Sequence, residues 1–163
     1  MRSISRHIII SVFVAGLLSA AAFAEDYMYW SSDFDPISLS SIASQAQVRE
    51  GSATITLYTS GNAEISADNT ASGPAELSCA TDVLVTEYKL SFDGDGSSAT
   101  GGTDTSYSAY DSFLSTPTAI TYVASDDTVE VTLYVRASNS PDDVSDSGTY
   151  NATQTLTVSW VGP

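Results

Sequence analysis

Two stretches of this sequence carry side chains whose types and spacing can do chemistry. The first is Asp146-Ser147-Gly148, the residue order of an aspartic protease half. Such a half sets its triplet after an apolar pair in a glycine-rich fold, whereas here Val144-Ser145 precedes it and an alternating strand pattern follows. The second is the run from Asp93, where Asp93, Asp95 and Ser97 fall at alternate positions and Asp104 comes eleven residues after Asp93. That spacing imitates ligand positions 1, 3, 5 and 12 of a calcium loop. It departs at Ser98, where the loop's sharp turn needs glycine, and at Asp104, which replaces a bidentate glutamate. No helical pattern flanks it. Calcium at extracellular concentration is one reading of this loop, and a solvated acidic loop is the other.

Other catalytic equipment is scarce. Residues 1–24 read as a secretory signal peptide: Arg2 and Arg6, then an apolar run from Ile8 to Leu18, then Ala22-Phe23-Ala24 before Glu25. The run is too short to span a bilayer, and no later stretch is long enough. Cleavage there removes His7, the single histidine of the chain. Serine–histidine and cysteine–histidine nucleophiles are then excluded, as are zinc sites built on histidine. The expectation is a chain that is not an enzyme and holds no cofactor, calcium at the 93–104 loop excepted. Cys79 stands alone, so an internal disulfide is excluded; a small buried hydrophobe is the expected role.

Charge narrows the partners. Residues 25–163 hold three basic residues (Arg49, Lys89, Arg136) against 20 acidic ones, a net charge of −17. Such a surface repels phosphates, which argues against nucleic acid, and it repels anionic membranes.

The elements that must position these residues are strands. Ala53–Thr59 alternates, with Ile55 and Leu57 on one face, and Gly61–Ala67 follows a Ser-Gly-Asn turn, so the two read as a hairpin. Ala75–Ala80 is a short strand. Val83–Phe92 places Leu84, Tyr88, Leu90 and Phe92 on one side, and Ala119–Val123 is followed by an Asp126-Asp127 turn. Thr128–Ser138 alternates cleanly, with Val129, Val131, Leu133 and Val135 facing one way. Thr149–Val161 does so again, with Leu156, Val158 and Trp160 inward. About seven strands, each with one wet and one dry face, predict an all-β, Ig-like antiparallel β-sandwich over residues 51–163, with a jelly roll or small barrel as the alternative. Two stretches fall outside the pattern: a lead-in over 25–50 and a Gly/Ser/Thr/Asp-rich insertion over 93–118. The insertion carries Tyr107, Tyr110 and Phe113, aromatic rings able to stack on a sugar or to cover a sandwich edge.

Asp146, Gly148 and Tyr150 also fit the corner of Ig-type domains, in which a tyrosine hydroxyl bonds back to upstream backbone. Ala152 stands where such domains carry a cysteine, so the corner comes without its disulfide. This reading accounts for more residues than the protease triplet does. The run Ser147-Gly148-Thr149-Tyr150 through Leu156, Val158 and Trp160 resembles the terminal strand of spore coat protein U-like domains and the related subunits of bacterial chaperone–usher pili; the match spans mainly residues 83–161. It departs in having one cysteine where those domains commonly have pairs.

The resemblance implies a secreted structural subunit, periplasmic in transit and then cell-surface or extracellular. It implies partners of its own kind or a periplasmic chaperone. Leu156, Val158 and Trp160 would border the groove that a neighbour's strand completes, and Ile37, Leu39 and Ile42 would form the donor segment. An extracellular carbohydrate- or protein-binding module, supported by calcium and by stacking on Tyr107 and Tyr110, is the alternative function.

Overall fold

The computed structural model describes residues 26–68, 75–80 and 82–162. The expected signal peptide therefore lies outside the described residues. In chain order the strands are β1 (Met28–Trp30), β2 (Val48–Thr59), β3 (Asn62–Asp68), β4 (Ser78–Cys79), β5 (Asp82–Val83), β6 (Val85–Phe92), β7 (Gly101–Gly102), β8 (Ser108–Ala109), β9 (Thr118–Thr121), β10 (Thr128–Ser138) and β11 (Thr155–Gly162). The fold is all-β and antiparallel, with no helix among the described residues and no closed barrel. The larger sheet runs β1-β2-β10-β6-β8, the smaller β11-β3-β9-β7, and β4 and β5 form a separate ribbon.

Alternation decides which faces meet. In β10, Val129, Val131, Leu133, Val135 and Ala137 are buried, while the intervening residues are not. β2 places Ile55, Leu57 and Thr59 on the same inner side, and β3 answers with Ala63 and Ile65. Each fully buried Leu, Ile or Val contributes roughly 1.5–3 kcal/mol. Leu57, Ile65, Leu90, Val129 and Val131 are each sealed from solvent, so this layer dominates the stability of the sandwich. The longest ladder joins β2 to β10, from Tyr58↔Thr128 to Val48↔Ser138.

The structure corrects the sequence reading in three places. β2 and β3 are not a hairpin: β2 pairs with β1 and β10, and β3 with β11 and β9. The Ser60–Gly61 turn carries the chain from one sheet to the other. Thr59 makes that corner self-sufficient, its Oγ1 donating to the Gly61 carbonyl at 2.7 Å, and Trp160 packs over it. The last strand starts at Thr155 rather than Thr149, because residues 149–154 bridge sideways and Asn151 exchanges backbone hydrogen bonds with Ser78 at 3.0 and 3.1 Å. The 93–118 insertion is not a bare loop. It supplies β7, β8 and the buried Thr100, Phe113 and Leu114, with Phe113 against Tyr88 at 5.5 Å between ring centroids.

Candidate functional site

The smaller sheet is short, and it leaves one end of the larger sheet's inner face to be covered by other means. Three segments outside the two sheets do this: 33–46, the β4–β5 ribbon with its flanks (75–80 and 82–84), and 145–154. Where they meet lie two adjoining clefts of about 560 and about 660 Å³, both lined by Ile37, Leu39, Leu77 and Tyr150. The seam between the sheets is open here, and this is the candidate site.

Its first wall is the lead-in. Phe34, Ile37 and Leu39 are half-buried and pack against the core. A β-carbon added to Gly51 of β2 would come within 2.7 Å of Ile37 Cγ2 and 2.9 Å of Leu39 Cδ2. Glycine is therefore what lets this segment close on the sheet. No backbone–backbone hydrogen bond holds residues 33–43 among the described residues. Their polar ties come from side chains: Arg49 Nε donates to the Ser41 carbonyl at 3.0 Å, and Gln47 Oε1 accepts from the Ala43 amide at 2.6 Å. The Asn139 amide nitrogen donates to the Ser44 carbonyl at 3.2 Å.

The second wall is the tyrosine corner. The Tyr150 hydroxyl lies 2.7 Å from the Asp146 carbonyl oxygen and 2.8 Å from Asp82 Oδ2, so its one hydrogen serves two acceptors. The Asp146 amide also donates to Asp82 Oδ2. That amide, and then the Tyr150 hydroxyl, hold the Asp82 carboxyl below the usual carboxylate range. Burial, then the Asp82 carboxylate, pushes Tyr150 up to about 12. Cys79 is half-buried directly beneath the corner: a β-carbon at Gly148 would sit 2.5 Å from its Sγ. Sequence reasoning found Tyr150 and Gly148 but not Asp82, whose only signal is its distance-blind presence 68 residues upstream.

The open edges complete the site. Thr59 donates its amide to Asp127, toward β10, whereas the Thr56 carbonyl accepts from Ser31 on the opposite side. Antiparallel alternation then aims the amide and carbonyl groups of Glu50, Ser52 and Thr54 away from β10. β1 covers only Leu57–Thr59, so this part of β2 has no ladder partner among the described residues. β11 is the other open edge, at the end of its sheet. Leu156 and Val158 face the core from it, both half-buried, and Trp160 lies over Gly61.

The remaining sequence candidates lie elsewhere. Asp93 accepts from the Glu130 amide at 2.7 Å, Asp95 from the amides of Ser97 at 2.8 Å and Ser98 at 3.1 Å, and Asp104 from the Phe92 amide at 2.9 Å. The three carboxylates are thus spread along one sandwich end as separate caps for backbone donors. No group of three or more acidic, histidine or cysteine side chains is placed to hold a metal ion among the described residues. Tyr107 is half-buried on the outer face of the larger sheet beneath Arg136, whose Cζ is 4.1 Å from the ring centroid. Tyr110 packs against the core beside β8. Neither ring is laid open as a platform.

No family model matches this chain, nor does any curated protein or solved structure. No helix of the described residues is long and apolar enough to cross a membrane.

Proposed function

We propose that this chain is an exported structural subunit of a cell-surface or extracellular assembly, joined to its neighbours by β-strand complementation. The observation that carries the reading is the way residues 33–46 occupy the seam. They insert Phe34, Ile37 and Leu39 into the core against Gly51 of β2 yet form no ladder, next to the stretch of β2 that has no ladder partner on its β1 side among the described residues. Half-burial of each side chain contributes on the order of 1 kcal/mol, and a regular strand in the same place would add backbone pairing at the open edge.

The β11 edge is also undefended. Natural edge strands are blunted by lysine, proline, bulges or inward charges. β11 carries no charged residue and no proline, and its only irregularity falls at the end, between Trp160 and Gly162. With residues 25–163 carrying a net charge of −17, an uncharged edge of this length is the surface on which two copies can approach without carboxylates meeting. Export rests on the 1–24 pattern, and the structural role rests on the seam.

The test is deletion of residues 26–46. Strand complementation expects that the intact protein forms SDS-resistant ladders and that the deleted protein forms none, while a synthetic peptide spanning 33–46 binds the deleted protein and raises its melting temperature. A deleted protein that stays fully folded and monomeric, and ignores the peptide, refutes it.

A further inference from the structure

The outer face of the larger sheet carries two tyrosine clusters. In one, Tyr107 and Tyr134 hold both cations of that face. Lys89 Nζ is 4.3 Å from the Tyr134 ring centroid and 5.0 Å from that of Tyr107, and Arg136 lies over Tyr107. In the other, Tyr29 of β1 stacks on Tyr58, its direct cross-strand partner, with centroids 5.0 Å apart and planes 12° from parallel. Tyr27 closes the cluster at 6.1 Å from Tyr29 and 48° of tilt, its hydroxyl donating to Asp127. Tyr29 is the one exposed aromatic side chain among the described residues, with 51 % of its surface open.

The two clusters differ in what reaches them. Lys89 and Arg136 rest on the first, and Arg49 sits at the far end of β2 from Tyr58, bonded to Ser41. No basic side chain of the described residues approaches the second. An aromatic face attracts cations through its quadrupole, and tilted rings around one point strengthen the effect. The Asp127 carboxylate beside Tyr27 adds direct attraction. The net charge of −17 over residues 25–163 concentrates cations near the surface and keeps anions off it. The first cluster is an internal precedent: on this same sheet face, paired tyrosines take ammonium and guanidinium groups.

We infer that the Tyr27–Tyr29–Tyr58 cluster is a binding site for an organic ammonium ion, which lies on the open face of Tyr29 beside Asp127. Neutral sugars use aromatic faces too, but neither the carboxylate nor the net charge favours them over other solutes, and both favour a cation. The site lies on the outer face of the larger sheet, away from the seam, and stands independently of strand complementation.

The experiment is a titration of protein carrying ring-labelled tyrosine, followed by NMR. The probes are tetramethylammonium chloride and N-acetyl-lysine methylamide, with sodium chloride at matched ionic strength and methyl glucoside as comparisons. The expected result is saturable shifts of the Tyr29 and Tyr58 ring signals with tetramethylammonium. Saturation by the lysine derivative as well assigns the natural ligand to a lysine side chain; saturation by tetramethylammonium alone assigns it to a quaternary ammonium. Tyr29→Ala weakens binding by about two- to fivefold, an exposed cation–π contact converted at 1.4 kcal/mol per tenfold. Tyr29→Phe retains most of it, and Tyr88 signals confirm that both variants are folded. Equal responses to sodium chloride, saturation by methyl glucoside without tetramethylammonium, or full binding in folded Tyr29→Ala would each overturn the inference.

Discussion

The Tyr150 hydroxyl stands 2.8 Å from Asp82 Oδ2 and joins segments 68 residues apart, which makes this pair the clasp of the open side of the sandwich. Through it the β4–β5 ribbon is tied to the corner and to the approach to β11. Tyr150→Phe removes the hydroxyl and leaves the ring. It is expected to lower the melting temperature by a few degrees and to speed proteolysis within 143–154, measured by thermal denaturation and limited digestion.

Asp82 makes the clasp sensitive to acid. Its folded-state pKa is depressed, so its contribution is fully present above the unfolded-state value, near 4. It is lost as pH falls through the lower folded value. The stability gap between the protein and Asp82→Asn should therefore be constant from neutral pH down to about pH 5 and close below about pH 4. A gap that persists unchanged into stronger acid contradicts an ionised Asp82 as the acceptor.

Tyr88 gives the opposite sign at the other end of the scale. Burial pushes its phenol to about 12, and its hydroxyl donates to the Ala75 carbonyl at 2.6 Å. A raised folded-state value means that this stabilisation is complete below the unfolded-state pKa of about 10 and fades as pH rises toward about 12. Alkaline unfolding in that window, seen as simultaneous phenolate absorbance and loss of β signal, should shift to higher pH in Tyr88→Phe.

Phe113 tests whether the 93–118 insertion is part of the core. It is fully buried against Tyr88. Phe113→Ala should cost about 3–5 kcal/mol by chemical denaturation, a core-sized loss. A loss below about 1 kcal/mol would return the insertion to the status of a surface loop.

Gly51 tests the seam. Gly51→Val places methyl groups where Ile37 and Leu39 now lie. The lead-in should be expelled while the two sheets stay paired, so that proteolysis at 33–46 accelerates and self-association increases, measured by digestion and light scattering. A variant with unchanged digestion would mean that the segment is not seated on β2.

The sequence by itself determined which faces are dry. Two-residue alternation in Thr128–Ser138 follows from the backbone's pleat, and every inward residue it named in β10 is buried. The same local logic announced the all-β class and the turn at Asp126-Asp127, whereas Asp146, Gly148 and Tyr150 were singled out by their fit to the Ig-type corner. Alternation carries no information about which strand lies beside which, however. The residues on either side of Ser60–Gly61 alternate identically whether the chain folds back as a hairpin or crosses to the second sheet, and only packing of the two dry faces chose the crossing.

The site was less legible for the same reason. Asp82, Gly51 and Tyr29 become meaningful through partners 68, 14 and 29 positions away — Tyr150, Ile37 and Tyr58 — and such separations leave no mark in local pattern. Tyr107 looked available because it sits in a polar insertion, and the fold laid it beneath Arg136. Composition supplied an acidic chain with three cations beyond residue 24; tertiary structure alone decided that two of them would be spent on one tyrosine cluster and none on the other. The reason is physical: local sequence sets the direction in which a side chain points, and the contacts that give it a role are made only when distant strands close on one another.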